Sequence, residues 1–369
     1  MSKLKILLTG GHGATTAVSF IEEIFSRKRN GKMWKIYWIG SDKAIEGKNV
    51  STIESRFMPK LGVSTHAIIV GRLQRKFTLW TIPSLFKIPW GFLQALYLLK
   101  RVSPDVILSF GGYTAFPVIV AGFLLRIPLV LHEQTSAAGL ANRLSSIFVN
   151  KIAIARKESQ KYFPKRKTVL IGNPLMSRIV KVKHKDNIGE PPVIYITGGS
   201  RGSQAINSLI EQILYQLLRK YLVIHQVGYL DYPRFRKIRL TLPQKLRVKY
   251  KIYSTIDPRK IHKIYDLCDI VVSRAGANTV SEIMMVKRPA ILIPLAINEE
   301  QQKNAQFAEK FGIAEVFEQK FLTKEKLIDA IEKLIRNWKE KVVACKEKES
   351  PDKYASKRLA DLVENLLIK

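Results

Sequence analysis

The stretch VIYITGGSRGSQAINSLIEQ, residues 193–212, decides the fold of this chain. Its first four residues are β-branched or aromatic and predict a buried strand. Three glycines then allow a sharp turn, and the apolar spacing from Ser203 onward predicts a helix. A strand that leads through a glycine-rich loop into a helix directs free backbone N–H groups and the positive end of the helix dipole towards one point. This segment therefore predicts a phosphate-binding site.

The composition is that of a globular protein with an unusual charge. The 369 residues are 46% hydrophobic and 25% charged, and the length is sufficient for two domains. Lys and Arg number 62 against 30 Asp and Glu, which gives a net charge of +32. This excess favours a polyanionic partner, which is nucleic acid, an anionic membrane surface or a phosphorylated substrate. The charge alone does not choose between them.

Cysteine usage and the apolar runs favour a reducing compartment and no membrane span. Cys268 and Cys345 are far apart and form no C-x-x-C pair, which excludes a disulfide framework and a cysteine zinc site. The N-terminal sequence lacks the long apolar core of a secretory signal. The longest apolar run, 116–131, is interrupted by Arg126 and Pro128, so we expect no transmembrane segment.

Short apolar segments alternate with helical patterns along the chain, which favours parallel sheets with helices on both faces. We predict an α/β fold with two doubly wound domains that face a cleft. The predicted N-terminal domain is 1–172, the linker is 173–192, the C-terminal domain is 193–350, and a helix within 351–369 folds back across the hinge. The predicted strands are 4–9, 35–40, 67–70, 106–110, 129–132, 151–154, 168–171, 193–197, 222–227, 249–252, 269–272, 290–293 and 313–317.

Three loops in the N-terminal half follow predicted strands, and they are Thr9–Gly13, Ser109–Tyr113 and His132–Thr135. Open α/β sheets bind ligands at the carboxyl ends of their strands, so these loops together predict a site. His12, in the first loop, has an ordinary pKa near ~6.5 and is suited to accept a proton from an attacking hydroxyl. The alternatives are a solvated loop histidine and glycines that serve only tight turns.

Two loops in the C-terminal half also carry polar residues. In the segment 274–282, Thr279 and Glu282 have the spacing of a capping box, which the spacing alone favours over a carboxylate that binds ribose hydroxyls. The segment 298–304 gathers amides and carboxylates, which suit the hydroxyls of a sugar. In isolation, a solvated first helical turn is the simpler interpretation of that segment.

Several kinds of site are missing from the sequence. No Asp-x-Asp pair follows a predicted strand and no cluster has metal-ligand spacing, so we expect helix N-termini and basic side chains to neutralise a diphosphate without a metal. The motif G-x-G-x-x-G is absent, which disfavours a nicotinamide dehydrogenase. The basic residues are dispersed and no nucleic-acid motif is present, which disfavours a nucleic-acid partner.

Residues 72–101 mix bulky apolar and basic side chains, a composition typical of a segment that rests on lipid head groups. The alternative is a helix–turn–helix element with its apolar side in the core. The excess of aromatic residues favours partial membrane contact through Trp80, Phe86 and Trp90.

Taken together, these motifs resemble the MurG family of peptidoglycan glycosyltransferases, and the resemblance covers nearly the whole chain. A single glycine motif would be weak evidence, but seven motifs in the same order are specific. They are Gly10-Gly11-His12, Ser109-Phe110-Gly111-Gly112-Tyr113, His132-Glu133-Gln134 with Ala138-Gly139-Leu140 and Asn142, Gly172-Asn173-Pro174, Gly198-Gly199-Ser200-x-Gly202, the segment 273–282, and Gln301 with Asn304.

The resemblance implies a GT-B fold of two Rossmann-like domains and an inverting reaction that needs no metal or cofactor. N-acetylglucosamine would pass from UDP-N-acetylglucosamine to the 4-hydroxyl of N-acetylmuramate on undecaprenyl diphosphate, which converts lipid I to lipid II. The enzyme would be a peripheral protein on the cytoplasmic face of the plasma membrane, with an anionic membrane surface and a cell-wall synthesis complex as partners and no nucleic acid. A related enzyme with a different lipid or glycan acceptor is the alternative.

The resemblance also implies roles for single residues, and it replaces the capping-box interpretation of Glu282 with ribose binding. The catalytic residues would be His12, as the base, and Glu133. The acceptor side would comprise Gly11, Gly13, Tyr113, Thr135 and Asn142. The donor site would comprise Gly199, Ser200, Gly202, Ile256, Ala277, Thr279, Glu282, Glu300, Gln301 and Gln302.

Three positions depart from the family pattern. The first loop is shorter than the usual Gly-Gly-Thr-Gly-Gly-His run, Thr135 replaces the usual asparagine, and Met176 stands where an arginine is usual. All three belong to the acceptor side or the hinge, whereas most of the donor pattern is intact. The donor class is therefore better supported than the acceptor.

Overall fold

The structure is a computed structural model, in which only the backbone is described for 14, 43–45, 48–51, 53, 56, 81–86 and 88. The residues that it describes are 4–11, 14–27, 34–45, 48–71, 81–199 and 201–367.

The chain forms two compact units. The first comprises 1–176 and 351–369, and the second comprises 177–350. The segment 173–192, which the sequence predicts as a linker, is therefore divided between the two units. Four apolar side chains of this segment are buried: Leu175, Met176, Ile179 and Val182.

The first unit is built on a parallel sheet whose central strands are largely buried, as expected for a parallel sheet covered on both faces. Its strands are β1 (Leu4–Thr9), β2 (Trp34–Gly40), β3 (Lys43–Ile45), β4 (Lys48–Ser51), β5 (Ser64–Ala67), β6 (Val106–Ser109), β7 (Leu129–Glu133), β8 (Lys151–Ile154) and β9 (Thr168–Leu170). The parallel sheet has the order β5-β2-β1-β6-β7-β8-β9, and β3 pairs with β4 in an antiparallel hairpin. Its helices are α1 (Ala14–Ser26), α2 (Ile53–Phe57), α3 (Thr81–Val102), α4 (Phe116–Leu124) and α5 (Leu140–Ser145), with 3-10 turns at Pro59–Leu61, Lys157–Tyr162 and Lys165–Lys167.

Two details of this sheet differ from the predicted strands. The predicted strand 67–70 is wrong in its bounds, because β5 is Ser64–Ala67. The backbone N–H of Ile68 still donates to the carbonyl of Gly40 in β2 at 3.0 Å, but the N–H of Ile69 donates to the side chain of Gln94 at 2.7 Å, so the pairing with β2 ends there. The hairpin of β3 and β4 lies outside the predicted strands because its short, polar strands contain no apolar run.

The second unit contains a six-stranded parallel sheet in which β10 (Val193–Thr197) is central. Its other elements are α6 (Ser177–Val180), α7 (Gln204–Lys220), β11 (Leu222–Gln226), α8 (Tyr232–Thr241), α9 (Gln244–Arg247), β12 (Tyr250–Tyr253), α10 (Ile261–Leu267), β13 (Ile270–Ser273), α11 (Ala277–Val286), β14 (Ala290–Leu292), α12 (Glu299–Phe311), β15 (Ala314–Val316), α13 (Lys324–Arg336) and α14 (Trp338–Lys346), with 3-10 turns at Pro258–Lys260 and Gln319–Phe321. The order β12-β11-β10-β13-β14-β15 reverses direction between β10 and β13. Ligands of doubly wound sheets bind at such a switch point, beyond the carboxyl ends of the strands. The predicted α/β class with two doubly wound parallel sheets is confirmed.

The terminal helix α15 (Ala355–Asn365) packs against α1 within the first unit. Arg27, which follows α1, contacts Asp361 at 2.8 Å and Glu364 at 3.2 Å. Just before α15, the carboxylate of Asp352 is fully buried and accepts two hydrogen bonds from Arg156, at 2.6 and 2.8 Å. These contacts fix the end of the chain to the unit in which it began.

Candidate active site

The loop after β10 is closed by hydrogen bonds of its own. The hydroxyl of Thr197 accepts from the backbone N–H of Gly199 at 3.0 Å, and the Gly199 carbonyl accepts from the N–H of Gly202 at 3.0 Å. The side chain of Ser203 then caps α7 by accepting from the N–H of Ile206. The predicted sequence of strand, glycine turn and helix is confirmed, and Ser200 lies outside the described residues.

Two glycines of this loop are required for different reasons. Both have positive φ, +82° at Gly199 and +76° at Gly202. A Cβ on Gly202 would lie 2.2 Å from the carbonyl oxygen of Val227. Only a glycine at this position lets the backbone at Val227 pack so closely. A Cβ on Gly199 would meet no atom within 4 Å. The outer side of Gly199 therefore leaves room for a ligand close to the backbone.

The N-terminus of α11 is open in the same way. Gly276 caps this helix without a side-chain hydrogen bond, and a Cβ there would also meet nothing within 4 Å. The cap residue of α11 therefore offers no side chain to the first backbone N–H groups of the helix. Because β13 pairs with β10, the N-termini of α7 and α11 follow adjacent strands and lie at the same edge of the sheet.

The structure excludes a capping box at Thr279 and Glu282. Thr279 lies inside α11, which begins at Ala277, so it is not the cap residue. The carboxylate of Glu282 accepts a hydrogen bond from the hydroxyl of Tyr265 at 2.9 Å. Burial raises the pKa of Glu282 to about 7, while the Tyr265 hydrogen bond opposes that rise. A capping role had the right spacing, but the start of the helix decides against it.

The loop before α12 is organised by amide side chains. Asn298 caps α12 by accepting from the N–H groups of Glu300 and Gln301. Gln301 accepts from the N–H of Leu295 at 3.1 Å, and Gln302 donates to the carbonyl of Ala296 at 2.9 Å. Each glutamine thereby uses one polar atom on its own loop, which leaves the other to a ligand.

Two buried side chains connect these loops: Arg274, which belongs to the motif 273–282 but has no predicted role, and Gln226, which no predicted motif contains. The guanidinium of Arg274 donates to the Ser203 hydroxyl at 3.0 Å and to the carbonyl of Ile293 at 2.9 Å. The amide of Gln226 joins the loop after β10 to Ile256. Both residues stand at strand ends, which was the one signal in the sequence that could have drawn attention to them.

The first sheet has a corresponding set of loops after β1, β6 and β7. The N–H of Gly11 donates to the carbonyl of Gly111 at 2.9 Å, and the N–H of Gly112 donates to the side chain of Asn142 at 3.0 Å. The structure therefore brings together three loops that the sequence places at successive strand ends. His12 and Gly13 lie outside the described residues, and the neighbouring Tyr113 is half-buried.

Glu133 lies at the centre of this set. One carboxylate oxygen accepts from the N–H of Thr135 at 3.0 Å, and the other accepts from the amide of Asn142 at 2.7 Å. Burial raises the pKa of Glu133, and its hydrogen bonds act in the opposite direction. Both carboxylate oxygens of Glu133 therefore accept hydrogen bonds from the segment that follows β7.

Of the segment 72–101 that the sequence predicts to touch lipid, residues 81–101 belong to the helix α3, and residues 72–80 lie outside the described residues. Trp90, Leu93 and Tyr97 share one face of α3 and are 65%, 53% and 63% exposed. Trp80 lies outside the described residues, as does the side chain of Phe86. None of the helices that the structure describes is long and apolar enough to cross a bilayer. Among all the residues that the structure describes, no three His, Cys, Asp or Glu side chains are grouped as metal ligands.

Comparison with known protein families accounts for both units. The model of the glycosyltransferase family 28 N-terminal domain matches residues 9–154, and that of the family 28 C-terminal domain matches residues 193–366. The chain belongs to glycosyltransferase family 28. It is 33% identical over 376 residues to the UDP-N-acetylglucosamine–N-acetylmuramyl-(pentapeptide) pyrophosphoryl-undecaprenol N-acetylglucosamine transferase of Lachnoclostridium phytofermentans, with 99% of each chain covered.

Solved structures share the fold. The crystal structure of Acinetobacter baumannii MurG aligns with a TM-score of 0.68 at 22% identity, and covers 98% of this chain and 99% of its own. The UDP-GlcNAc 2-epimerase of Neisseria meningitidis, bound to UDP-GlcNAc, aligns with a TM-score of 0.64 at 14% identity, and covers 98% and 100%. The family 28 chain thus has the predicted GT-B fold of two Rossmann-like domains.

Proposed function

We propose that this chain is the glycosyltransferase that completes the lipid-linked disaccharide of peptidoglycan. It transfers N-acetylglucosamine from UDP-N-acetylglucosamine to the 4-hydroxyl of N-acetylmuramate on undecaprenyl diphosphate, the conversion of lipid I to lipid II. The observation that carries this proposal is the 33% identity, over 99% of the chain, to an enzyme named for that reaction. The geometry of the two sheet edges supports it.

In this proposal the second unit, with 193–350 as its donor domain, binds UDP-N-acetylglucosamine. The diphosphate lies against the open side of Gly199, next to Ser200 and Gly202, and faces the N-termini of α7 and α11. Glu282 accepts from the ribose hydroxyls. The remaining donor contacts are Ile256 to the uracil, Ala277 and Thr279 at the start of α11, and Glu300, Gln301 and Gln302 to the sugar.

The same helix ends serve catalysis. The negative charge that develops on the leaving UDP is stabilised by fixed backbone N–H groups, which need no reorganisation during the reaction. The proposed diphosphate site consists of main-chain N–H groups, and its cap residue Gly276 has no side chain. Such hydrogen-bond donors bind an anion and not a divalent cation. We therefore propose that the transfer needs no metal.

The first unit, with 1–172 as its main part, binds the acceptor between its three loops. The 4-hydroxyl oxygen attacks the anomeric carbon as the bond to the diphosphate oxygen breaks on the opposite face, which inverts the configuration. His12 takes the hydroxyl proton as the base. Glu133 holds Thr135 and Asn142 in place, since its carboxylate is already bonded to both. Gly11, Gly13 and Tyr113 complete the acceptor side.

The surface of the first unit supports a peripheral position on the cytoplasmic face of the plasma membrane. The helix α3 packs against α4, and α4 packs against α5. Phe123 and Ile147 share a groove of about 530 Å³ with Arg126, Arg166 and Lys167, which suits anionic head groups. The exposed apolar side chains of these three neighbouring helices and of the turn after α5 are Trp90, Leu93, Tyr97, Phe123, Leu124, Leu140, Leu144 and Ile147.

A related transferase with another acceptor is the second candidate. It is favoured by the departures at Thr135 and Met176, which affect the acceptor side and the hinge. Purified protein with radiolabelled UDP-N-acetylglucosamine and a prenyl-diphosphate-linked N-acetylmuramyl acceptor distinguishes the two. We expect label in the lipid fraction, with or without EDTA. Turnover of the donor with other lipid or glycan acceptors, and none with this one, would contradict the proposed acceptor.

The affinity for UDP-N-acetylglucosamine is expected to rise with pH through about 7. The pKa of Glu282 is about 7 in the free protein, and the ribose hydroxyls donate to its ionised form, so protonation competes with binding. The dissociation constant measured by calorimetry is expected to increase about tenfold between pH 8 and pH 6. The sugar ester has no terminal phosphate that titrates in this range.

The Glu282→Gln variant is the control for this pH effect. Its dissociation constant is expected to be higher than that of the natural chain and independent of pH from 6 to 8. An equal pH dependence in both proteins would show that another group is responsible.

Replacement of Trp90, Leu93 and Tyr97 with serine is expected to weaken binding to phosphatidylglycerol-containing vesicles by about tenfold or more. The reason is that these side chains would no longer bury apolar area at the lipid interface. Sedimentation with the vesicles measures the bound fraction.

The matched control replaces Leu230 and Val248, which are 84% and 63% exposed on the second unit. Serine at these two positions is expected to leave vesicle binding unchanged. Equal losses in both variants would assign the binding to general hydrophobicity and not to α3.

A further inference from the structure

The amide of Gln226 occupies a position between two loops of the second sheet. Gln226 is the last residue of β11, which lies between β10 and β12. In the sheet register it stands beside Thr197 on one side and Tyr253 on the other. Its side chain is 6% exposed.

Both ends of this amide are bonded, each to a different loop. The nitrogen donates to the carbonyl of Gly199 at 2.8 Å and to the hydroxyl of Thr197 at 3.3 Å. The oxygen accepts from the backbone N–H of Ile256 at 3.1 Å. Between the described residues, no other hydrogen bond joins the segments 198–202 and 254–257.

The chemistry of the two loops specifies a carboxamide here. The carbonyl of Gly199, which also accepts from the N–H of Gly202, accepts a second hydrogen bond here, and the N–H of Ile256 needs an acceptor; a glutamine supplies both groups. A glutamate would retain the acceptor but would place a second acceptor against the Gly199 carbonyl. A methionine of similar length would leave both backbone groups without this partner.

We propose that Gln226 is a positioning residue. It sets the separation of the diphosphate loop, residues 198–202, and the uracil loop, residues 254–257, before the donor binds. This inference rests on the proposed function, in which Gly199 lies at the diphosphate and Ile256 at the base. A nucleoside diphosphate has a limited span between base and phosphates, so loops held at that span bind it with less loss of conformational freedom. The gain applies to ligands that touch both loops.

The test compares Gln226→Met and Gln226→Glu with Gln212→Met, an exposed glutamine on α7. We expect the KM for UDP-N-acetylglucosamine to rise about tenfold or more in both Gln226 variants, with kcat within about twofold, because the contact to UDP is the same in ground and transition states. Affinity for uridine alone, which touches one loop, is expected to change by less than about threefold. Gln212→Met is expected to resemble the natural chain.

Hydrogen exchange on the natural chain tests the same bond without a mutation. The N–H of Ile256 is expected to be protected in the free protein, and rapid exchange there would overturn the inference. An unchanged KM in a folded Gln226→Met variant, or equal losses for uridine and UDP-N-acetylglucosamine, would also overturn it. A natural chain that neither binds nor turns over UDP-N-acetylglucosamine would overturn the proposed function and this inference with it.

Discussion

The donor site depends on two glycine-containing backbone segments at the reversal point of the second sheet, the loop between β10 and α7 and the start of α11. The strands β10 and β13 are neighbours, so these two segments lie at the same edge of the sheet; Ser203 caps α7, whereas Gly276 gives α11 no side-chain cap. Gly199 and Gly276 have open space where a Cβ would stand, so a ligand can approach the main chain itself. Fixed dipoles of this kind favour negative charge without an ion. The remaining donor-site residues act around this centre.

The loops around that centre are held by buried polar side chains. Gln226 connects the glycine loop to Ile256, and Arg274 connects the cap of α7 to the end of β14. Asn304 of α12 donates to the carbonyl of Ala275 at 3.2 Å. Each of these bonds joins groups that follow different strands. The positions of the loops therefore depend on the sheet register, because each of these side chains links loops that follow different strands.

Much of the fold follows from local sequence, because parallel strands that are buried on both faces read as short apolar runs. The segment 193–212 shows this directly, since its strand, glycine turn and helix all lie where the pattern predicts them. The predicted strand at 67–70 has the wrong bounds, because β5 (Ser64–Ala67) is mostly polar and exposed and so contains no apolar run. The boundary between the two units, after Met176, falls within the predicted linker 173–192, but the buried apolar side chains of this segment could not be read from its prolines.

The candidate site was less accessible to sequence reasoning. Glycine turns are local, so their positions at the strand ends could be predicted, as could the general donor class through family resemblance. The partner of Glu282 could not, because Tyr265 reaches it from another helix, and the spacing of Thr279 and Glu282 favoured a capping box that the start of α11 excludes. Gln226 ends a predicted strand, but its two partners could not be predicted, because they lie in loops distant from it in sequence.

The most direct test of this account is a crystal structure of the protein with UDP-N-acetylglucosamine and magnesium both present. We predict that the diphosphate oxygens accept hydrogen bonds from backbone N–H groups of the loop 199–202 and of the first turn of α11, with no metal between them. A diphosphate bound away from these helix ends, or one held by a magnesium ion, would contradict the account.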